Sequence, residues 1–124
     1  MRILYVEDNY GDHILMYNAS KNLDIDLTCI FTTAEAIAQV RYRNYDLIFM
    51  DYFMSVTADT VAPILRNIAS TPIYLITGLT KEALNGRVKL FNGVVYKNQP
   101  FADFKKSIEE IINDSRQKQL VRWS

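Results

Sequence analysis

The sequence predicts an α/β fold built on one parallel sheet of five strands, with helices on both of its faces. Three observations lead there. Short β-rich runs recur along the chain: ILYV (3–6), IDLTCIF (25–31), LIFM (47–50), YLI (74–76) and VVY (94–96). Their starts fall near 2, 25, 46, 73 and 94, a step of roughly twenty residues, and each gap carries helical periodicity. All but the second run are continuously apolar, as strands covered on both faces are.

The first strand, ILYV, leads into a helix over 12–23 with Leu15, Met16, Ala19 and Leu23 on one stripe. The second strand is more mixed and suits a sheet edge. The helix over 32–43 opens with Thr32 and Glu35 at capping-box spacing and presents Ala36, Ile37 and Val40 to the core. After the third strand, residues 58–69 carry Val61, Leu65 and Ile68. Pro63 fits there only in a first turn, which places the start near Asp59 or Thr60. The fourth helix, TKEALN (80–85), is short and stops at Gly86. The fifth, over 101–117, has the clearest stripe: Phe104, Ile108, Ile111, Ile112 and Ser115. Strand–helix alternation at this period means right-handed crossovers. Five such units fit a flavodoxin-like (βα)5 three-layer sandwich in strand order 2-1-3-4-5, with its ligand site where strands 1 and 3 end.

Size and composition bound the function. The 124 residues suit one domain, 1–118, followed by a short C-terminal tail, 119–124. Fourteen basic and fourteen acidic residues cancel, which gives no electrostatic footprint for nucleic acid or an anionic membrane. The single cysteine, Cys29, excludes an internal disulfide framework and reads as filler on strand 2. No secretory leader and no apolar run of membrane-spanning length is visible, so a cytoplasmic protein is expected.

Polar groups collect where the predicted strands end. Glu7 and Asp8 leave strand 1 side by side in VEDN, Asp51 ends strand 3, Thr77-Gly78 ends strand 4, and Lys97 ends strand 5. Three carboxylates on one rim repel one another unless one is protonated or a cation sits among them. Oxygen-only donors on an open rim favour Mg2+, with Mn2+ as the other candidate. An aspartate beside such an ion, an ammonium and a hydroxyl is arranged for phosphoryl chemistry, with Asp51 as the nucleophile.

VEDN, LIFMD, LITG and VVYK, in this order and spacing, resemble the receiver domain of two-component response regulators, of the stand-alone, chemotaxis-regulator-like kind. The resemblance spans about 2–115. It implies that Asp51 accepts the phosphoryl group. It also implies that Asp8 binds Mg2+ directly, with Glu7 acting more through water and the backbone carbonyl of Phe53 completing the metal site. By the same resemblance Thr77 is the switch hydroxyl, Lys97 pairs with the phosphoryl group, and Gly78 leaves room for it. The implied partners are a histidine kinase or histidine phosphotransfer protein and an output protein met through the helix 4–strand 5–helix 5 face. The protein itself is expected as a monomer or weak homodimer that catalyses only its own aspartyl phosphorylation and dephosphorylation.

The chain departs from that pattern in places. Val94 stands where the family carries a switch aromatic, and Tyr96 is expected on the opposite strand face. Asn98 replaces a proline whose preceding peptide bond is cis; before Asn a trans bond is expected, because cis would cost about 2.5–4 kcal/mol. Ser55 and Asp59 replace a proline and a glycine in the loop after Asp51. These departures motivate an alternative: a receiver-like module that docks partners without phosphate switching. A third reading, an Mg2+-dependent phosphohydrolase using Asp51, lacks the second aspartate such enzymes resemble one another in having, because Phe53 occupies its position. Elsewhere, His13 reads as an exposed helix histidine, Tyr42, Tyr45 and Tyr52 as rim or surface aromatics, and Arg116, Lys118 and Arg122 as a solvated helix end. Trp123 is either disordered or docked on a partner.

Overall fold

The computed structural model describes every residue except Phe53, Ser55 and Ser124, and only the backbone of Arg122 and Trp123. The strands are β1 (Arg2–Val6), β2 (Asp26–Ile30), β3 (Leu47–Asp51), β4 (Ile73–Thr77) and β5 (Gly93–Tyr96). All pairs are parallel, in the order β2-β1-β3-β4-β5, as predicted. The helices are α1 (Tyr10–Ser20), α2 (Thr33–Tyr42), α3 (Ala58–Ile68), α4 (Lys81–Leu84) and α5 (Phe101–Trp123), with a 3-10 turn at Arg87–Leu90.

Strand side chains alternate between two cores. Leu4, Val6, Ile48, Met50, Ile73 and Leu75 face Ala36, Val40, Val61, Leu65 and Leu84 from α2, α3 and α4. Ile3, Tyr5, Leu47, Phe49, Ile76 and Val95 face Met16, Ala19, Phe104, Ile108 and Ile112 from α1 and α5. Burial of each large side chain contributes about 1.5–3 kcal/mol, so the two layers hold the central strands rigidly. That rigidity fixes where the strand ends, and hence the rim groups, stand.

The local chemistry sets the boundaries. Thr32 caps α2: its Oγ1 accepts from the Glu35 amide at 3.1 Å and donates to Glu35 Oε1 at 3.0 Å. Thr80 caps α4 by accepting from the Ala83 amide at 3.1 Å. That helix closes after one turn because Asn85 (φ 49°) and Gly86 (φ 81°) are both left-handed.

Several expectations are corrected. α1 begins at Tyr10 rather than 12, because Asn9 is extended and caps it, and it ends at Ser20 rather than 23. Pro63 lies in the second turn of α3, not the first, because the helix starts at Ala58. Pro63 is on the exposed face, where water can serve the carbonyl that loses its amide partner. α5 continues past 117 to Trp123, since no glycine or proline interrupts it. Arg116 is not simply solvated: it donates to the carbonyls of Leu23 and, at 2.6 Å, Asp24. Gln119 then reaches Asp46 at 2.8 Å and ties the extended helix to the lower end of the sheet. Tyr45 and Tyr52 are buried, and only Tyr42 of the three is exposed. Tyr96 lies on the same face as Val94, both against the α2–α3 core, as the two-residue period of a strand requires.

Gly93 shows how tightly β5 packs. A Cβ there would lie 2.8 Å from Cε1 and 2.9 Å from Cδ1 of Tyr74. Gly93→Ala is expected to cost about 1–3 kcal/mol in urea denaturation. In a Tyr74→Leu background that cost should largely vanish; an equal cost in both backgrounds would locate the strain elsewhere.

Candidate functional site at the strand ends

β1 and β3 are neighbours, with Val6 opposite Met50. Glu7 follows one strand and Asp51 ends the other, so the topology brings their carboxylates together. One oxygen each from Glu7, Asp8 and Asp51 lies within 4.8 Å of the others. Asp8 is exposed, whereas Glu7 and Asp51 are buried.

Lys97 reaches this cluster from the end of β5. Its Nζ donates to Glu7 Oε1 at 2.6 Å, Asp12 Oδ2 at 2.8 Å and Asp51 Oδ1 at 3.0 Å. An ammonium has three protons, and all three are committed. The Lys97 amide donates to the Thr77 carbonyl at 2.7 Å, which fixes the root of the side chain. Burial alone would lower the Lys97 pKa, but its bonds to Asp12, Glu7 and Asp51 outweigh that and raise it.

One cation does not neutralise this many anions. Burial, reinforced by a hydrogen bond with Asp12, pushes the Glu7 carboxyl up to about 9. Asp12 is lowered by the same bond, with help from Lys97. A proton held on Glu7 therefore relieves the repulsion that the sequence pattern implies. Tyr5 lies beneath the site, and burial, then the negative charge of Glu7, Asp12 and Asp51, raises its pKa and keeps it neutral.

The remaining rim groups close the site. Thr77 is buried, and its Oγ1 accepts from the Leu79 amide at 3.0 Å. A Cβ added at Gly78 would meet no described atom within 4 Å, so there is open space beside Thr77. No cis peptide bond occurs among the described residues, and the bond before Asn98 is trans as expected. Asn98 has a use that proline would not: its Nδ2 donates to the Gly78 carbonyl at 2.6 Å, a strap between the loops after β4 and β5. The proposed metal ligand at the Phe53 carbonyl, and Ser55, lie outside the described residues.

The structure thus brings Glu7, Asp8, Asp51 and Lys97 into one cluster, with Thr77 on the same rim. Two side chains differ from expectation or were missed. His13 is buried, not exposed: Tyr5 and Phe31 flank its ring, and Nε2 donates to the Glu7 carbonyl at 2.6 Å. Asp12 joins the cluster from the first turn of α1. Its signal in the sequence is its place four residues after Asp8, one helical turn along from the rim.

No protein-family model matches the chain, and no curated protein matches it in sequence. Solved structures do. The N-terminal domain of a response regulator/sensory box/GGDEF three-domain protein from Carboxydothermus hydrogenoformans superposes with a TM-score of 0.81 at 19% identity, covering 100% of both chains. A response regulator of Thermotoga maritima, solved in complex with Mg2+-BeF, gives 0.75 at 22%, covering 88% of this chain and 96% of its own. A chemotaxis response regulator of Vibrio cholerae gives 0.77 at 18%, covering 89% and 97%. The fold is that of response regulator receiver domains. None of the helices among the described residues is long and apolar enough to cross a membrane.

The Glu7 proton predicts a pH dependence for the protein kept in a chelator. A carboxyl raised from 4.5 to about 9 contributes stability that is full below its unfolded value and lost as pH rises through about 9. Asp12, being lowered, loses its contribution only as pH falls into the acid range, and Lys97, being raised, keeps its contribution until pH rises past the usual lysine range. Melting temperature should therefore fall between about pH 5 and 9, by roughly 5 °C or more. Glu7→Gln, which stays neutral, should flatten that decline; an unchanged slope would assign it to another group.

Proposed function

We propose that this chain is a response regulator receiver whose Asp51 accepts a phosphoryl group from a histidine kinase or histidine phosphotransfer protein. The observation that carries the reading is the cluster of Asp51, its neighbours Glu7 and Asp8, and Lys97, set on a receiver fold at the end of β3. In the reaction an Asp51 carboxylate oxygen forms a bond to phosphorus as the donor's P–N bond breaks. The bonding pair returns to the imidazole, and the product is an acyl phosphate.

The donor set fits Mg2+: it is all oxygen, its members lie within 4.8 Å, and Asp8 faces solvent. Asp8 and Asp51 would hold the ion directly, with Glu7 behind water and the Phe53 carbonyl as a further ligand; Mn2+ suits the same donors. When bound, the ion supplies charge neutralisation for phosphoryl oxygens. Lys97 supplies the second positive charge. Thr77 can exchange its bond to the Leu79 amide for one to the phosphoryl group, into the open space beside Gly78. The acyl phosphate would bias a two-state surface toward an output protein, through the face formed by α4, β5 and α5. The work is done in the cytoplasm, on itself alone, as a monomer or weak homodimer.

Two observations favour a second reading, a module that docks its partner without switching. No aromatic stands at Val94 to follow Thr77, and the Asn98–Gly78 strap ties two rim loops together. Incubation with acetyl phosphate separates the readings. Intact mass should show a single Mg2+-dependent phosphoryl adduct on the wild type and none on Asp51→Asn. An adduct that survives Asp51→Asn would remove Asp51 from the role. No adduct at all, alongside a receiver that labels under the same conditions, would leave the docking module.

A further inference from the structure

Asp12 has no direct part in the phosphoryl transfer above, yet it holds one of the three Lys97 protons at 2.8 Å. Its position is not incidental. It sits in the first turn of α1, its amide donates to the Asn9 carbonyl at 3.1 Å, and the cap therefore aims it at the rim. Of the three carboxylates on Lys97 it is the most accessible. Its side chain is 27% exposed, against 1% for Glu7 and 9% for Asp51.

Phosphorylation changes what Lys97 is asked to hold. Converting Asp51 to its acyl phosphate removes that carboxylate's charge and places a group of about −2 charge beside the same ammonium. With all three protons already committed, Lys97 can engage the phosphoryl oxygens fully only by loosening an existing partner. Glu7 is buried and accepts the Asp8 amide at 3.1 Å as well, so it is held in place. Asp12 is the partner that can leave, and while it stays its negative charge opposes the incoming phosphoryl group.

We infer that Asp12 is a positioning residue that restrains phosphorylation: it draws Lys97 toward α1 and competes with the phosphoryl group for its ammonium. The inference rests on Asp51 being the phosphorylated residue. In this role Asp12 lowers the rate of labelling and shortens the life of the acyl phosphate, because each phosphoryl–Lys97 contact has to displace it. Asp12→Asn keeps the shape and one acceptor oxygen but removes the charge that competes.

The test is the time course of labelling by acetyl phosphate with Mg2+, followed by intact mass, and the decay of the label after the donor is removed. Asp12→Asn should label about three- to tenfold faster and lose the label correspondingly more slowly, as expected from removing one charge-assisted contact. Asp12→Glu, which restores the charge, should return both rates toward wild type, a rescue that a purely structural role would not give. Should Asp12→Asn fold poorly by its melting curve, Asp12→Ser tests the same loss of charge. Labelling of the neutral variants at the wild-type rate or below would overturn the inference while leaving the Asp51 assignment intact. Failure of the wild type itself to label at Asp51 would overturn that assignment and this inference with it.

Discussion

Everything at the rim depends on one ammonium, that of Lys97, bonded to carboxylates from β1, α1 and β3. At contact distance a pair of unit charges in a partly buried setting interacts with about 4 kcal/mol, and a carboxylate left there without a partner would cost several kcal/mol. Glu7 and Asp51 are buried at the ends of adjacent strands, so neither could stay there ionised without a cation. Lys97 supplies it from two strands away, across β4, and its reach depends on the bond from its amide to the Thr77 carbonyl. The raised pKa of Glu7, which favours a proton there, relieves part of the charge that remains. The same imbalance makes the site receptive to an added cation, whose charge would do the proton's work.

The rim is also tied outward. The Arg87 guanidinium in the 3-10 turn donates to the Tyr52 hydroxyl at 3.0 Å, and Tyr52 directly follows Asp51. Asn98 joins the loop after β5 to Gly78, and Thr77 holds the Leu79 amide. The segment that follows β4 is thus in contact with the site at three points. It is also the least regular part of the chain, with α4 only four residues long before two left-handed residues break it. A short helix has little internal hydrogen bonding to lose, so a change in any of these three bonds can be absorbed there. The physical basis for coupling site and surface is the set of hydrogen bonds. Val94 packs no aromatic between them.

The fold was legible because its strands are buried on both faces and therefore read as continuous apolar runs. The strand order followed from the fit of five βα units to the flavodoxin-like arrangement, and the rim residues followed from the order. What escaped was local. Asp12 and His13 fall inside the expected helix, but the polar stretch NYGDH carries no apolar periodicity to show which side chains turn toward the rim and the sheet. His13 then reads as exposed, although Tyr5 and Phe31 enclose it. Tyr45 and Tyr52 look like surface residues because tyrosine is only sometimes buried; here their hydroxyls reach Gln39 and Arg87 and so permit burial. Tyr96 shares the face of Val94 because positions two apart on a strand do. The end of α5 had no breaker to reveal it, and tertiary bonds from Arg116 and Gln119 decide it.

These bonds bear on why a stable domain tolerates such a cluster. A buried ion network is often no more stable than apolar residues of the same volume. Here β1 and β3 already pair in register and are packed by two apolar layers, so the fold does not need the network to hold together. The cores can carry the cost of three carboxylates gathered around one lysine. What the network contributes is placement: Asp51 is held with one oxygen on Lys97, and Asp8 is left facing solvent. Packing alone would give the strand end a position but no chemistry. The ammonium, drawn three ways, makes the strand end a site whose charge can be redistributed.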